Sequence, residues 1–205
     1  MENILKKIIK VIAFAIVKLY CKIVYRYRII GKENIPQEGS IVFCGNHRSY
    51  LDPVLIILTS GRCMRFMAKE ELKKNPLFRL LCYAFDVIYV KRDSKDIGPL
   101  KEALKTLKNG DCIGIFPEGT RNGLEKNNGE LKDGAAYLAL KTGAKMLPIG
   151  IVGEAKPFHR NTIYYGKPID VTEYQTKDKE LEKDNKEKVT QILKEEIIKL
   201  TKQSV

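Results

Sequence analysis

The chain has 205 residues, enough for one α/β domain with a full hydrophobic core and at most a short appendage. Its composition, 44% hydrophobic and 30% charged, is too apolar for a disordered protein, and its five cysteines are odd in number and never spaced CxxC, which argues against a disulfide framework or a zinc site. The formal charge of +12 points to an anionic partner such as nucleic acid, an anionic lipid surface or an acidic carrier protein. With only His47 and His159 present, a His-rich metal cluster is excluded and no metal or cofactor is expected.

In chain order, the first element is basic and apolar at once. Residues 1–35 hold eight basic and two acidic side chains, half of the net charge. The longest uninterrupted apolar run there, Val11 to Val17, is seven residues, against the roughly 20 that a membrane span needs. Placed at 100° per residue, Lys6, Lys7, Lys10, Lys18 and Lys22 fall within an arc of roughly 160°. Leu5, Ile8, Ile9, Ile12, Ile16, Leu19, Tyr20 and Ile23 occupy the other side. This pattern predicts an amphipathic helix over residues 1–24 that lies in a membrane interface, its ammonium groups against anionic headgroups. A core-packing helix with a solvated charged face fits the same pattern, and the two readings are compatible.

Over residues 25–205 short apolar runs alternate with helical periodicity. Strands are expected at 25–30, 41–44, 64–68, 87–90, 111–116, 146–152 and 162–165. Helices are expected at 53–60, 76–84, 98–108, 134–142 and about 179–201. Pro53 and Pro76 suit first helical positions, and Gly110 and Gly143 suit positions just past helix ends. Alternation of this kind predicts a single α/β domain with a central, mostly parallel mixed sheet flanked by helices. Its active site is expected beyond the carboxyl ends of the strands.

Two segments carry chemistry. Asn46-His47-Arg48-Ser49-Tyr50-Leu51-Asp52-Pro53 directly follows the second strand. Asp52 precedes a proline, which disfavours helical geometry at Asp52 and makes it a natural N-cap for a helix starting at Pro53. The loop between can then fold back and bring the carboxylate to one ring nitrogen of His47, leaving the other as a general base. On spacing alone, a satisfied surface or loop pair is the commoner reading. The second segment, Phe116-Pro117-Glu118-Gly119-Thr120-Arg121, ends the fifth strand. Arg121 offers a planar fork of donors suited to a phosphate, Gly119 permits close backbone approach, and Glu118 could bind a hydroxyl or orient the arginine. A polar turn with an internal Glu–Arg pair is the alternative.

Together NHRSYLD and FPEGTR, about 70 residues apart, resemble the motif pair of the glycerolipid acyltransferase family, in particular its bacterial lysophosphatidate acyltransferases. FMAKEEL at 66–72, IYVKR at 88–92, LPIGI at 147–151 and YGKPI at 165–169 resemble further blocks in the family's order, so the likeness covers about residues 25–170. One departure is Asp86, where the family's second block usually opens with glycine.

The resemblance implies direct acyl transfer from a thioester, acyl-CoA or acyl-acyl carrier protein, to the hydroxyl of 1-acylglycerol 3-phosphate. His47 would be the base and Asp52 its orienting partner. Lys69, Arg92, Glu118, Gly119, Thr120 and Arg121 would bind substrate. It also implies a peripheral or monotopic enzyme on the cytoplasmic face of the membrane. Glycerol 3-phosphate or another lysolipid is an alternative acceptor. A basic nucleic-acid-binding module would explain the charge but not its position on a helix with an apolar reverse, and no binding motif supports it. A hydrolase using the same pair lacks a metal cluster and a G-x-S-x-G elbow.

Overall fold

Every strand expected from the sequence forms, and all seven join one sheet. The computed structural model describes residues 15–91, 96–126, 129–154, 156 and 158–203. The strands are β1 (Tyr27–Ile30), β2 (Ile41–Gly45), β3 (Met64–Lys69), β4 (Ile88–Val90), β5 (Cys112–Ile115), β6 (Lys145–Gly153) and β7 (Asn161–Tyr165). The helices are α1 (15–24), α2 (Asp52–Ser60), α3 (Pro76–Ala84), α4 (Gly98–Lys108), α5 (Gly123–Lys126), α6 (Gly134–Thr142) and α7 (Lys179–Thr201). Short 3-10 turns at Lys32–Asn34, Glu70–Lys74 and Thr172–Tyr174, and the single turn of α5, were not expected, because such short pieces leave no periodic trace.

The strand order is β1-β7-β6-β2-β5-β3-β4, parallel throughout except where β6 meets β7. The sheet is therefore mixed and mostly parallel, as the alternation implied. β2 is buried along its length because its alternate side chains feed two cores. Ile41 and Phe43 pack with α2 and with Leu147, Ile149 and Ile163. Val42 and Cys44 pack on the other face with Ala103 and Leu107 of α4, Leu138 of α6 and Val189, Leu193 and Ile197 of α7. The spacing of those α7 residues gives the long helix one buried stripe, and its start is fixed by Asp178, whose carboxylate accepts from the amides of Glu180 (2.8 Å) and Leu181 (3.2 Å).

What positions the site is a divergence of connections. From β2 the chain crosses by way of α2 toward β3, whereas from the adjacent β5 it crosses by way of α6 toward β6. Neighbouring parallel strands whose crossovers leave in opposite directions open a crevice at their carboxyl ends. The register aligns Cys44 with Ile115, so the segments after β2 and β5 emerge side by side at one level.

The described part of α1 has three sides. Val17 and the fully buried Cys21 pack on the core beside α2. Lys18 and Lys22 are exposed on a second side. Ile16, Leu19, Tyr20 and Ile23 point outward on a third, each more than half exposed. Among the described residues no helix is long and apolar enough to cross a membrane. Lys6, Lys7 and Lys10 of the expected amphipathic pattern lie outside the described residues.

Candidate active site

At the end of β2, Asn46 stops the strand by imitating it. Its side-chain amide donates to the Ile151 carbonyl (3.0 Å) and its Oδ1 accepts from the Ile151 amide (2.6 Å). Those are backbone groups that a further residue pair of β2 would otherwise engage. The main chain is thereby released to turn at His47.

The loop that follows is wound around one buried carboxylate. Asp52 is 2% exposed, and its Oδ2 accepts from the backbone amides of Arg48 (2.6 Å) and Ser49 (2.7 Å) and lies 2.9 Å from His47 Nδ1. Oδ2 already accepts two amides, so the neutral histidine tautomer that fits this pair has its proton on Nδ1 and a lone pair on Nε2. Asp52 is the first residue of α2 and does not cap it: the capping position is Leu51, without a side-chain bond. The carboxylate turns back to the loop amides instead, and that is how residues five apart meet. Nε2 has no hydrogen-bond partner among the described residues, and the side chain is 19% exposed, so it is open to a substrate.

The imidazole lies flat on Phe116, centroids 4.2 Å apart and planes at 14°, and Phe116 stacks in turn on Phe66 at 5.3 Å. Phe66 reaches this position because the facing residue on β5 is Gly114: a Cβ there would sit 2.3 Å from the ring. The stack fixes the ring plane, as the carboxylate fixes its rotation. Both phenylalanines open motifs read from the sequence, FPEGTR and FMAKEEL, but neither has a role there.

The turn after β5 meets the histidine loop through Glu118. This residue is 3% exposed; Oε1 accepts from the His47 amide and Oε2 from the Leu124 amide, both at 3.0 Å. The His47 carbonyl accepts from the Asn122 amide at 2.6 Å, closing a second link. Gly119 has φ +66°, a left-handed conformation that favours glycine. Arg121 is exposed, its guanidinium carbon 3.9 Å above the ring of Tyr50, which leans on Phe78 at 4.9 Å. The arginine is thus steadied by an aromatic face and not by Glu118. Thr120 is half-buried in the same turn, and Lys69 is exposed at the carboxyl end of β3, the strand beside β5. Arg92 lies outside the described residues.

Asp86 accounts for its own departure from pattern. Its φ is +50°, the region a glycine would take without strain, and an aspartate tolerates it better than most residues. Its carbonyl and its carboxylate both engage Arg65 Nε, at 2.8 and 3.0 Å, which holds the turn. Nearby Cys44 is no candidate nucleophile: it is buried on β2, and desolvation pushes its thiol well above the ordinary range.

An oriented histidine and an arginine-bearing turn, side by side at the carboxyl ends of β2 and β5, are an arrangement suited to an α/β enzyme site. The family model described as Acyltransferase matches residues 26–152, and the chain belongs to that acyltransferase family. A 1-acyl-sn-glycerol-3-phosphate acyltransferase of Borreliella burgdorferi is 32% identical over 178 residues, 83% of this chain and 70% of that one. One from Bacillus subtilis is 30% identical over 129 residues, 62% of each chain. The crystal structure of the 1-acyl-sn-glycerophosphate acyltransferase PlsC of Thermotoga maritima aligns with TM-score 0.62 at 26% identity, over 87% of this chain and 73% of that one.

Proposed function

We propose that the protein transfers a fatty acyl group from an acyl thioester, acyl-CoA or acyl-acyl carrier protein, to the free hydroxyl of 1-acylglycerol 3-phosphate, giving phosphatidic acid. The observation that carries this reading is the His47–Asp52 pair at 2.9 Å, set beside the FPEGTR turn. The names of the relatives favour the acceptor.

In the proposed reaction Nε2 of neutral His47 removes the proton of the acceptor hydroxyl, and Asp52 steadies the imidazolium. The oxygen attacks the thioester carbonyl, the C–O bond forms, and the C–S bond breaks. The proton held at Nε2 passes to the departing sulfur, so thiol and ester are the products and histidine is regenerated. Arg121 and Lys69 hold the phosphate, with Arg92 as a further contributor. Gly119 and Thr120 let the backbone approach it, and Glu118 holds the base loop and the anion loop in register. Catalysis consists of positioning plus base catalysis worth roughly 10²–10⁴-fold.

The outward apolar side of α1, flanked by lysines, supports a peripheral seat on an anionic membrane surface, at the cytoplasmic face where thioester donors are made. Lipid vesicles, not nucleic acid, are the expected partner of the basic charge.

The test is a turnover assay on purified protein, crossing lysophosphatidate and glycerol 3-phosphate with acyl-CoA and acyl-acyl carrier protein. Phosphatidic acid from lysophosphatidate, lost on His47→Ala while the circular-dichroism spectrum below Tm stays that of the folded protein, is the expected result. Activity retained by His47→Ala would remove the assigned base, and turnover of glycerol 3-phosphate alone would move the acceptor.

A further inference from the structure

Beside the FPEGTR turn stands a cation that neither the motif nor the family blocks assign. Lys132 lies between α5 and α6, and its amide donates to the Pro117 carbonyl at 2.8 Å, which sets its backbone against the turn. Its side chain then runs across Gly119. A Cβ on Gly119 would sit 2.8 Å from Cε, 3.1 Å from Cδ and 3.2 Å from Nζ of Lys132. The space that a side chain at 119 would fill is therefore occupied by the end of a lysine.

Three facts distinguish this lysine from an ordinary surface cation. First, the end of its side chain lies over Gly119, with Cε, Cδ and Nζ all within 3.2 Å of where a Cβ would stand. Next, its ammonium forms no ion pair with any described residue, although the adjacent Asp133 pairs with Lys186 at 2.7 Å and Lys141 with Glu182 at 2.7 Å. Finally, the turn beneath it is the one that bonds the His47 amide through Glu118 and carries Arg121. Gly119 thus answers two demands, the left-handed φ and room for Lys132.

We propose that Lys132 is a phosphate-binding residue of this site, adding a point charge to the fork of Arg121 at the phosphomonoester of the acceptor. This rests on the phosphate-bearing acceptor argued above. A lysine suits the part because its three donors turn freely about a compact charge, while the arginine supplies the fixed geometry. Being exposed, the ammonium is partly screened, so its removal is expected to weaken phosphate recognition by roughly 5- to 30-fold, below the full range of a charged hydrogen bond.

Lys132→Met keeps the aliphatic stem over Gly119 and removes the charge; Lys132→Arg keeps the charge. Initial rates of the full chain would be measured with short-chain lysophosphatidate and with the matching monoacylglycerol, which lacks the phosphate, alongside thermal melts. The expected result is a KM for lysophosphatidate raised about 5- to 30-fold in Lys132→Met at nearly constant kcat, largely restored in Lys132→Arg. The slow rate with monoacylglycerol should not change. An unchanged KM in Lys132→Met, or an equal loss with both acceptors, overturns the assignment and makes the lysine a packing residue. A wild-type enzyme that acylates no phosphate-bearing acceptor overturns the proposed function, and this inference with it.

Discussion

Asp52→Asn separates what the carboxylate does for the fold from what it does for the base. The change is nearly isosteric, and the remaining amide oxygen can still face the Arg48 and Ser49 amides and His47 Nδ1. What disappears is charge. A hydrogen bond to a charged group contributes about 1.5–3 kcal/mol and a neutral one about 0.5–1.5. Three bonds converge on Oδ2, so the loss is about 3 kcal/mol. For a domain of this size each kcal/mol lowers Tm by about 2–4 °C, which predicts a fall of about 6–12 °C. The rate should fall further than stability implies, because the imidazolium formed during proton transfer loses its counter-charge; a drop of about 10²-fold in kcat lies within the range of base catalysis. Circular-dichroism melts and initial rates, taken well below the lower Tm, measure both. A variant that melts lower yet keeps kcat within about threefold would refute the reasoning and leave Asp52 as a loop staple.

Gly114→Ala drives a Cβ into the Phe66 ring, so overpacking of about 1–3 kcal/mol is expected together with a lower kcat, as the ring stack under His47 tilts. A melt and a rate assay on the same preparation test it, and an unaffected rate would uncouple the stack from the base. Asp86→Gly relieves a left-handed aspartate but gives up an exposed pair with Arg65, and the two nearly cancel. Its Tm should stay within about 4 °C of the wild type. Tyr50→Leu removes the face under Arg121; the acceptor KM should rise about 2- to 5-fold, the equivalent of an exposed cation–π contact, and Tyr50→Phe should restore it.

The fold was largely legible because its cues are local. Proline at helix starts, glycine past helix ends and alternate burial along β2 each act within a few residues, and the helix at 98–108 and that at 134–142 fall at their expected bounds. The chemical centre was legible in part. His47 and Asp52 are close in sequence, and only the way they meet differed: Asp52 opens α2 instead of capping it, because three loop donors compete for its oxygen more strongly than its own helix does. The supports of the site were not legible. Glu118 reads as a partner for Arg121, three residues on, yet it bonds amides at 47 and 124, an outcome decided by which strands adjoin. Lys132 sits thirteen positions from Gly119 with no periodic relation to it, and Phe66 reaches Phe116 across the sheet. Such meetings are set by register, which a single sequence does not display.

That register also explains why His47 and the arginine-bearing turn lie together. β2 and β5 pair in parallel with Cys44 opposite Ile115, so a loop leaving each strand starts at the same height, one strand spacing apart. Two residues on from β2 comes His47, and three on from β5 comes Glu118, although 71 positions separate them in the chain. The two crossovers leave to opposite faces of the sheet, α2 packing on one and α6 on the other. Glu118 then bridges the two loops with one oxygen on each side. Through Glu118 and the Asn122 amide, the loop that carries His47 is tied directly to the turn that carries Arg121.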